Sequence, residues 1–138
     1  MKLSNGEIYR AYQALVELGK VKLPVRTSLD VAVITNKLEP AAKVISGEDE
    51  KLIKKYSEKD EITGQTGIKR SSSKMALYLK DLDVVLDPVC ADDFNIKKIK
   101  LPEKIAGTCD SCHHNLDVTF LVEPAILMPL AEKFVEVV

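Results

Sequence analysis

The sequence is poor in aromatic residues and contains no tryptophan. Aromatic residues make up 5% of its 138 residues. The core must therefore be built mainly from leucine, isoleucine, valine and alanine. With 46% hydrophobic and 30% charged residues, the chain has the composition of a globular protein rather than a disordered one. Its length predicts a single domain over residues 1–138 that can bury a core without disulfides.

Cysteine and long apolar runs are also scarce. Three cysteines, an odd number, argue against a disulfide framework. The opening residues, Met1 to Glu7, lack the apolar core of a secretory signal. The longest apolar patch, near Ala125 to Leu130, is far shorter than a membrane span and is broken by Pro129. We therefore expect a cytoplasmic protein with no membrane partner.

An excess of one charge is missing as well. The chain has 20 basic and 21 acidic residues, which gives a net charge of −1. A dedicated nucleic-acid binder usually carries a basic excess on one face, so this balance argues against a nucleic-acid partner. Lys97, Lys98 and Lys100 do place basic charge along one predicted strand. On an edge strand such lysines mainly block aggregation, and we prefer that interpretation to an RNA-binding platform.

Three helices are predicted before residue 90. Ser4 and Glu7 form a capping box that opens the first helix, which Gly19 ends. Thr27 or Ser28 caps the second, in which Pro40 predicts a kink or a break near Leu38. Residues 57–73 read as a polar loop. The serines at 71–73 cap a third helix, and Asp87-Pro88 ends it.

The last third of the chain predicts two strands and a helix. Residues 94–101 suggest a strand with a bulge, and residues 116–122 alternate as a second strand. A loop from Pro102 to Asn115 would join them as an antiparallel pair. Pro124 opens a last helix, whose predicted inner face comprises Ile126, Leu127, Leu130, Phe134 and Val137. The fold class is thus α+β, with an N-terminal helical hairpin and third helix, an antiparallel β pair and a C-terminal helix.

Side-chain chemistry is concentrated in the segment Cys109-Asp110-Ser111-Cys112-His113-His114. Cys109 and Cys112 could place two thiolates on one side of a zinc ion, with His113 or His114 as third ligand and Cys90 as fourth. A c-type haem site would need an export signal and a distal ligand. A redox pair would normally open a helix after a strand. The ordinary alternative is a polar hairpin loop that binds nothing.

Catalytic motifs are missing from the sequence. It contains no glycine-rich dinucleotide fingerprint and no phosphate-binding loop. It also has no Gly-x-Ser-x-Gly nucleophile elbow. We therefore expect a protein that is not an enzyme and needs no cofactor other than, on the metal hypothesis, zinc.

Several segments resemble a family of short uncharacterised proteins encoded by tailed phages and prophages of Gram-positive bacteria. The segments that carry the resemblance are LSNGEIY (3–9), AYQAL (11–15), KLPVRTS (22–28), KYSEKDE (55–61), NIKKIKLP (95–102) and EPAIL (123–127). The chain departs from the family at Pro40, which falls in a helix that looks continuous there. It also departs at the loop from Cys109 to His114, which looks like a local insertion.

The resemblance implies a phage-encoded, non-enzymatic protein and supplies no catalytic residues. Three hypotheses follow. The first is an interaction protein that binds a phage structural protein, as a virion or tail accessory or as an assembly helper. The second is an inhibitor of a host enzyme or defence protein. The third is a zinc-stabilised binding module. The apolar tail from Phe134 to Val138 is compatible with a homo-oligomer.

The zinc hypothesis predicts about one equivalent of metal in natively purified protein, measured by elemental analysis. Structural zinc binds tightly at neutral pH, so less than roughly a tenth of an equivalent would contradict it. A Cys109→Ser variant should lose that zinc, because the ion would lose one of its ligands.

Overall fold

A computed structural model describes residues 1–59, 61–62, 64–70, 72–108 and 115–138. The helices among them are α1 (Asn5–Leu18), α2 (Val25–Tyr56), α3 (Ser73–Leu86) and α4 (Pro124–Leu127). The strands are β1 (Glu58–Lys59), β2 (Thr66–Gly67), β3 (Ile99–Leu101), β4 (Lys104–Thr108), β5 (Asn115–Thr119) and β6 (Val135–Val137). The predicted α+β class, with helices, a short antiparallel strand pair and a C-terminal helix, is confirmed.

The described chain divides into two compact units. The first unit comprises Met1–Tyr9 and Leu38–Phe94, and the second comprises Arg10–Lys37 and Asn95–Val138. Helices α1 and α2 each contribute residues to both units. The single domain over residues 1–138 stays a prediction. None of the helices in the described ranges is both long enough and apolar enough to cross a bilayer.

The capping box at the start of α1 is confirmed. The Ser4 N–H donates to Glu7 Oε2 at 2.8 Å, and the Glu7 N–H donates to Ser4 Oγ at 3.1 Å. These two bonds satisfy amides that the first turn of a helix leaves without partners. Just before the helix, Leu3 is fully buried, and Ile8 is the first fully buried side chain within it. The capping box therefore fixes where the chain turns from an extended segment into a helix.

The first residues of the chain run antiparallel to the segment that follows α3. Ser4 and Val89 form an antiparallel bridge, and the Asn5 N–H donates to the Pro88 carbonyl at 2.9 Å. The Cys90 N–H in turn donates to the Leu3 carbonyl at 2.8 Å. This pairing ties residues 88–90 to the beginning of the first unit.

The sequence predicted a kink or a break near Leu38. Helix α2 runs without interruption through Pro40, so the break is wrong, and the kink stays a prediction. Proline removes one backbone donor, but Pro40 lies on the exposed side of the helix. Leu38, Ala42 and Ile45 bury the opposite side at helical spacing. Burial on both sides of the proline thus outweighs the loss of one hydrogen bond. The helix also begins at Val25, before the predicted cap at Thr27 or Ser28, because the Ser28 N–H already donates to the Pro24 carbonyl.

The predicted polar loop at residues 57–73 contains a short strand pair instead of loop alone. β1 and β2 pair antiparallel, with Glu58 opposite Gly67 and Lys59 opposite Thr66. Gly64 has a φ of 70°, a left-handed conformation that glycine adopts without a steric penalty. The serine cap of the third helix is confirmed at Ser72, whose hydroxyl accepts from the Lys74 N–H.

In the second unit, the predicted strand pairing is wrong. β3 covers only the end of the predicted 94–101 strand, and it pairs in parallel with β6. β4 lies inside the predicted loop and pairs antiparallel with β5, with Lys104 opposite Thr119 and Thr108 opposite Asn115. The link between β4 and β5 spans only residues 109–114. Closing so short a link costs less chain entropy than the long loop that the sequence had suggested.

The C-terminal segment is a helix only at its start. α4 ends at Leu127, and β6 follows where the prediction continued the helix. Leu130 and Phe134 are buried as predicted, whereas Val137 is 64% exposed. Residues 135–138 contain three β-branched valines, which favour a strand over a helix. Among the residues of this unit whose burial is described, the others that are buried are Ala11, Ala14, Leu15, Leu18, Thr27, Val31, Ile34, Ile99, Leu101 and Val135.

We expect Ser4→Ala to lower the free energy of unfolding by about 1 kcal/mol, because the Glu7 amide loses its capping acceptor. Urea denaturation followed by far-ultraviolet circular dichroism measures this change. The matched control is Ser73→Ala, at an exposed position in the first turn of α3, which should change stability by less than about 0.5 kcal/mol. Equal losses of unfolding free energy in Ser4→Ala and Ser73→Ala would show that the capping box does not stabilise the protein more than an ordinary surface serine does.

Candidate functional site

The candidate metal ligands divide into one described residue and four others. Cys90 is half-buried, and its Sγ lies 3.9 Å from Asp92 Oδ2. Cys109, Cys112, His113 and His114 lie outside the described residues. Within the described ranges, no three His, Cys, Asp or Glu side chains are grouped closely enough to hold a metal. The zinc site therefore stays a prediction.

A shared carboxylate links three helices in the first unit. Asp49 on α2 accepts a hydrogen bond from Tyr9 of α1 at 3.2 Å and another from Tyr78 of α3 at 2.5 Å. Burial, the hydrogen bond to Asp49 and the negative charge of that carboxylate raise the pKa of Tyr78 to about 12. Asp81 on α3 similarly accepts from Tyr56 of α2 at 2.5 Å. These bonds hold the helices of the first unit together, and we assign them a structural role.

Two of the cavities in the described part of the second unit have linings that are separated by the pleat of β3 and β6. Successive side chains of a strand point to opposite faces of a sheet. Lys100 lines one cavity and its neighbour Leu101 lines the other. Val138 lines the same cavity as Lys100, and Val137 lines the same cavity as Leu101. Pro102 contributes to both cavities. The pleat thus gives one small sheet two sides of contrasting chemistry.

One cavity, which we call the basic cavity, has a volume of about 460 Å³. It is lined by Pro24, Arg26, Thr27, Asp30, Lys97, Lys98, Lys100, Pro102 and Val138. Thr27 is only 5% exposed, and its Oγ1 lies 3.5 Å from the carbonyl oxygen of Lys100. That approach places the first turn of α2 beside β3. Basic side chains from two distant parts of the sequence therefore share one cavity.

The other cavity, which we call the apolar groove, has a volume of about 480 Å³. Its lining is Leu101, Pro102, Glu103, Lys104, Phe120, Leu121, Val122, Leu127 and Val137. The Phe120 N–H donates to the Glu103 carbonyl at 2.8 Å and holds the two β-segments together beside the groove. Leu121 is 80% exposed and Val137 is 64% exposed. Large apolar side chains are therefore left in water along this groove.

The linings of both cavities favour binding over chemistry. Neither set of described lining residues contains a histidine, a cysteine or a serine. An apolar groove rimmed by Glu103 and Lys104 can accept apolar side chains of a partner. A cavity with several lysines and an arginine can accept an anion.

Sequence reasoning found only part of these sites. It singled out Lys97, Lys98 and Lys100 but assigned them to aggregation control. It missed Arg26, because no local pattern connects the start of α2 to β3. Leu121 did carry a signal, since it is apolar at a position where the alternation of residues 116–122 calls for a polar side chain.

No family model, curated protein or solved structure matches this chain.

We expect the tyrosinate absorbance of the native protein to contain a component with a pKa of about 12 that is absent from Tyr78→Phe. The pKa of Tyr78 in the folded chain lies above the value of about 10 for an unfolded chain. Its contribution to stability is therefore complete below pH of about 10 and is lost as the pH rises through about 12. Absorbance read immediately after a pH jump, before unfolding, measures this component.

Two further variants test the cause of the raised Tyr78 pKa. Asp49→Asn removes the negative charge and should lower the pKa of that component. Tyr12→Phe, at a tyrosine outside the Asp49 hydrogen bonds, should leave the component unchanged. A native titration with no component above the ordinary tyrosine range would contradict the assignment.

Proposed function

We propose that this protein is a non-enzymatic interaction protein that binds another protein through the apolar groove of the second unit. The observation that carries the proposal is the exposure of Leu121 and Val137 beside a groove lined by Leu101, Phe120 and Leu127. Isolated exposed apolar residues are normal, but several around one groove are typical of a protein-binding surface.

The open edges of the sheet support the same proposal. β3 and β6 form a two-stranded sheet among the described residues, so each has one edge without a strand partner. Val137 lies on β6 and also lines the groove. A partner segment that places apolar side chains in the groove could therefore also donate to or accept from the β6 backbone, as in strand addition.

The partner we propose is a phage structural protein, which would make this protein a virion or tail accessory or an assembly helper. The support for this partner is the resemblance to short phage proteins of residues 3–9, 11–15, 22–28, 55–61, 95–102 and 123–127. A protein of this kind needs a binding surface rather than reacting groups, in agreement with the linings of the two cavities.

We expect Leu121→Asp to weaken capture of the partner at least about tenfold, because a carboxylate buried among apolar side chains of an interface loses its hydration. Tagged protein would be expressed in phage-producing cells, and bound proteins would be quantified by mass spectrometry. The matched control is Leu77→Asp, at a residue 51% exposed on α3 of the first unit, which should capture the partner as wild type does.

The identity of the captured protein and the composition of purified virions separate the remaining forms of the proposal. Copies of this chain in the particle indicate a virion or tail accessory, and capture of a phage protein without such copies indicates an assembly helper. If wild-type protein captures a host enzyme or defence protein and the Leu121→Asp variant does not, the inhibitor hypothesis is favoured. Wild-type protein that captures no partner, or equal loss in Leu121→Asp and Leu77→Asp, would contradict binding through the groove.

A further inference from the structure

We propose that the basic cavity of the second unit binds a small polyanion of the phosphate class, such as a molecule that carries a diphosphate group. This function is separate from the protein-binding groove, since Pro102 is the one residue that the two described linings share. The assignment depends on the positive charge of the lining, on the lack of ion pairs to its basic side chains among the described residues, and on the size of the cavity.

Charge is the first argument. Arg26 comes from the first turn of α2, and Lys97, Lys98 and Lys100 come from β3 and the residues before it. Asp30 is the acidic side chain of the lining. Even with a carboxylate at residue 138 counted, the described lining keeps an excess of two positive charges. A concave surface with this excess concentrates anions from solution.

The second argument is that, within the part of the chain that the structure describes, these cations form no ion pair with a carboxylate. Lys20, Lys43, Lys51, Lys55 and Lys74 each lie within 4 Å of a carboxylate of the chain. Among the described residues, none of the four basic side chains of the cavity forms such an ion pair. Their mutual repulsion is therefore only partly compensated, by Asp30, and a bound anion would relieve it further.

Size and ligand geometry select the class of anion. A volume of about 460 Å³ is that of a small-molecule site rather than a polymer groove. The guanidinium of Arg26 offers a planar fork, and three lysines add point charges. Phosphate groups present more oxygens and more charge per group than carboxylates do, so they use these donors more fully. The described lining contains no aromatic side chain on which a nucleobase could stack.

The start of α2 adds to this chemistry without being needed for the assignment. The first amides of a helix have no acceptors within the helix, and the helix dipole places partial positive charge at this end. Thr27, which is almost completely buried, also lines the cavity and presents its hydroxyl near β3. An anion in the cavity would thus lie beside the positive end of the helix dipole within the same unit.

The test is NMR titration of the full chain with inorganic pyrophosphate, compared with citrate and with a short single-stranded oligonucleotide. We expect saturable one-to-one binding by pyrophosphate, with chemical-shift changes concentrated at residues 24–30 and 97–102. The affinity should fall as ionic strength rises. The double variant Lys98→Gln/Lys100→Gln should bind at least about tenfold more weakly.

The matched control is Lys54→Gln/Lys59→Gln, which makes the same change in net charge at exposed lysines of the first unit. It should bind pyrophosphate as wild type does, and circular dichroism would verify that both double variants remain folded. Equal weakening in the two double variants would show that net charge alone is responsible and would overturn the site. Citrate bound as tightly as pyrophosphate, or tight binding of the oligonucleotide alone, would overturn the assignment to a small phosphate-class ligand.

Discussion

The parallel pairing of β3 with β6 determines how the second unit presents its surfaces. The register places Ile99 opposite Val135 and Leu101 opposite Val137. Ile99, Leu101 and Val135 are buried there, whereas Lys100 between the first two is exposed. Two parallel strands must be joined by a long crossover connection. Here that connection consists of residues 102–134. The β4–β5 pair and α4 are parts of that connection, so the apolar groove is a product of the crossover itself.

In the first unit, polar side chains connect the helices where apolar packing is incomplete. α3 has no fully buried residue, so hydrophobic burial alone gives it little attachment. Tyr78 to Asp49 and Tyr56 to Asp81 supply directional bonds between α3 and α2. Tyrosine suits this role because its ring packs against apolar neighbours while its hydroxyl reaches a carboxylate. The few aromatic residues of the chain are thus used as much for hydrogen bonding as for volume.

The sequence predicted elements that are encoded locally and missed those that depend on distant partners. The Ser4–Glu7 box and the Ser72 cap were recognisable, because a cap is a contact between residues a few positions apart. The pairing of β3 with β6 was not recognisable from the sequence. Several short segments have alternating apolar and polar residues, and no local feature determines which two of them pair. Pro40 misled for the opposite reason, since its local penalty was real but was outweighed by burial at Leu38 and Ala42. The lysines of the basic cavity were visible, whereas the convergence of Arg26 on them was a property of the fold alone.

The division of Lys100 and Leu101 between two cavities makes segment length a stricter constraint than residue identity. Exchanging one lysine for arginine, or leucine for isoleucine, would keep each cavity's character. Inserting or deleting a single residue just before β3 would instead shift the alternation by one, turning the charge towards the groove and the apolar side chain towards the basic cavity. Chains that share this architecture should therefore tolerate exchanges of like character between Asn95 and Pro102 while keeping the number of residues between them fixed.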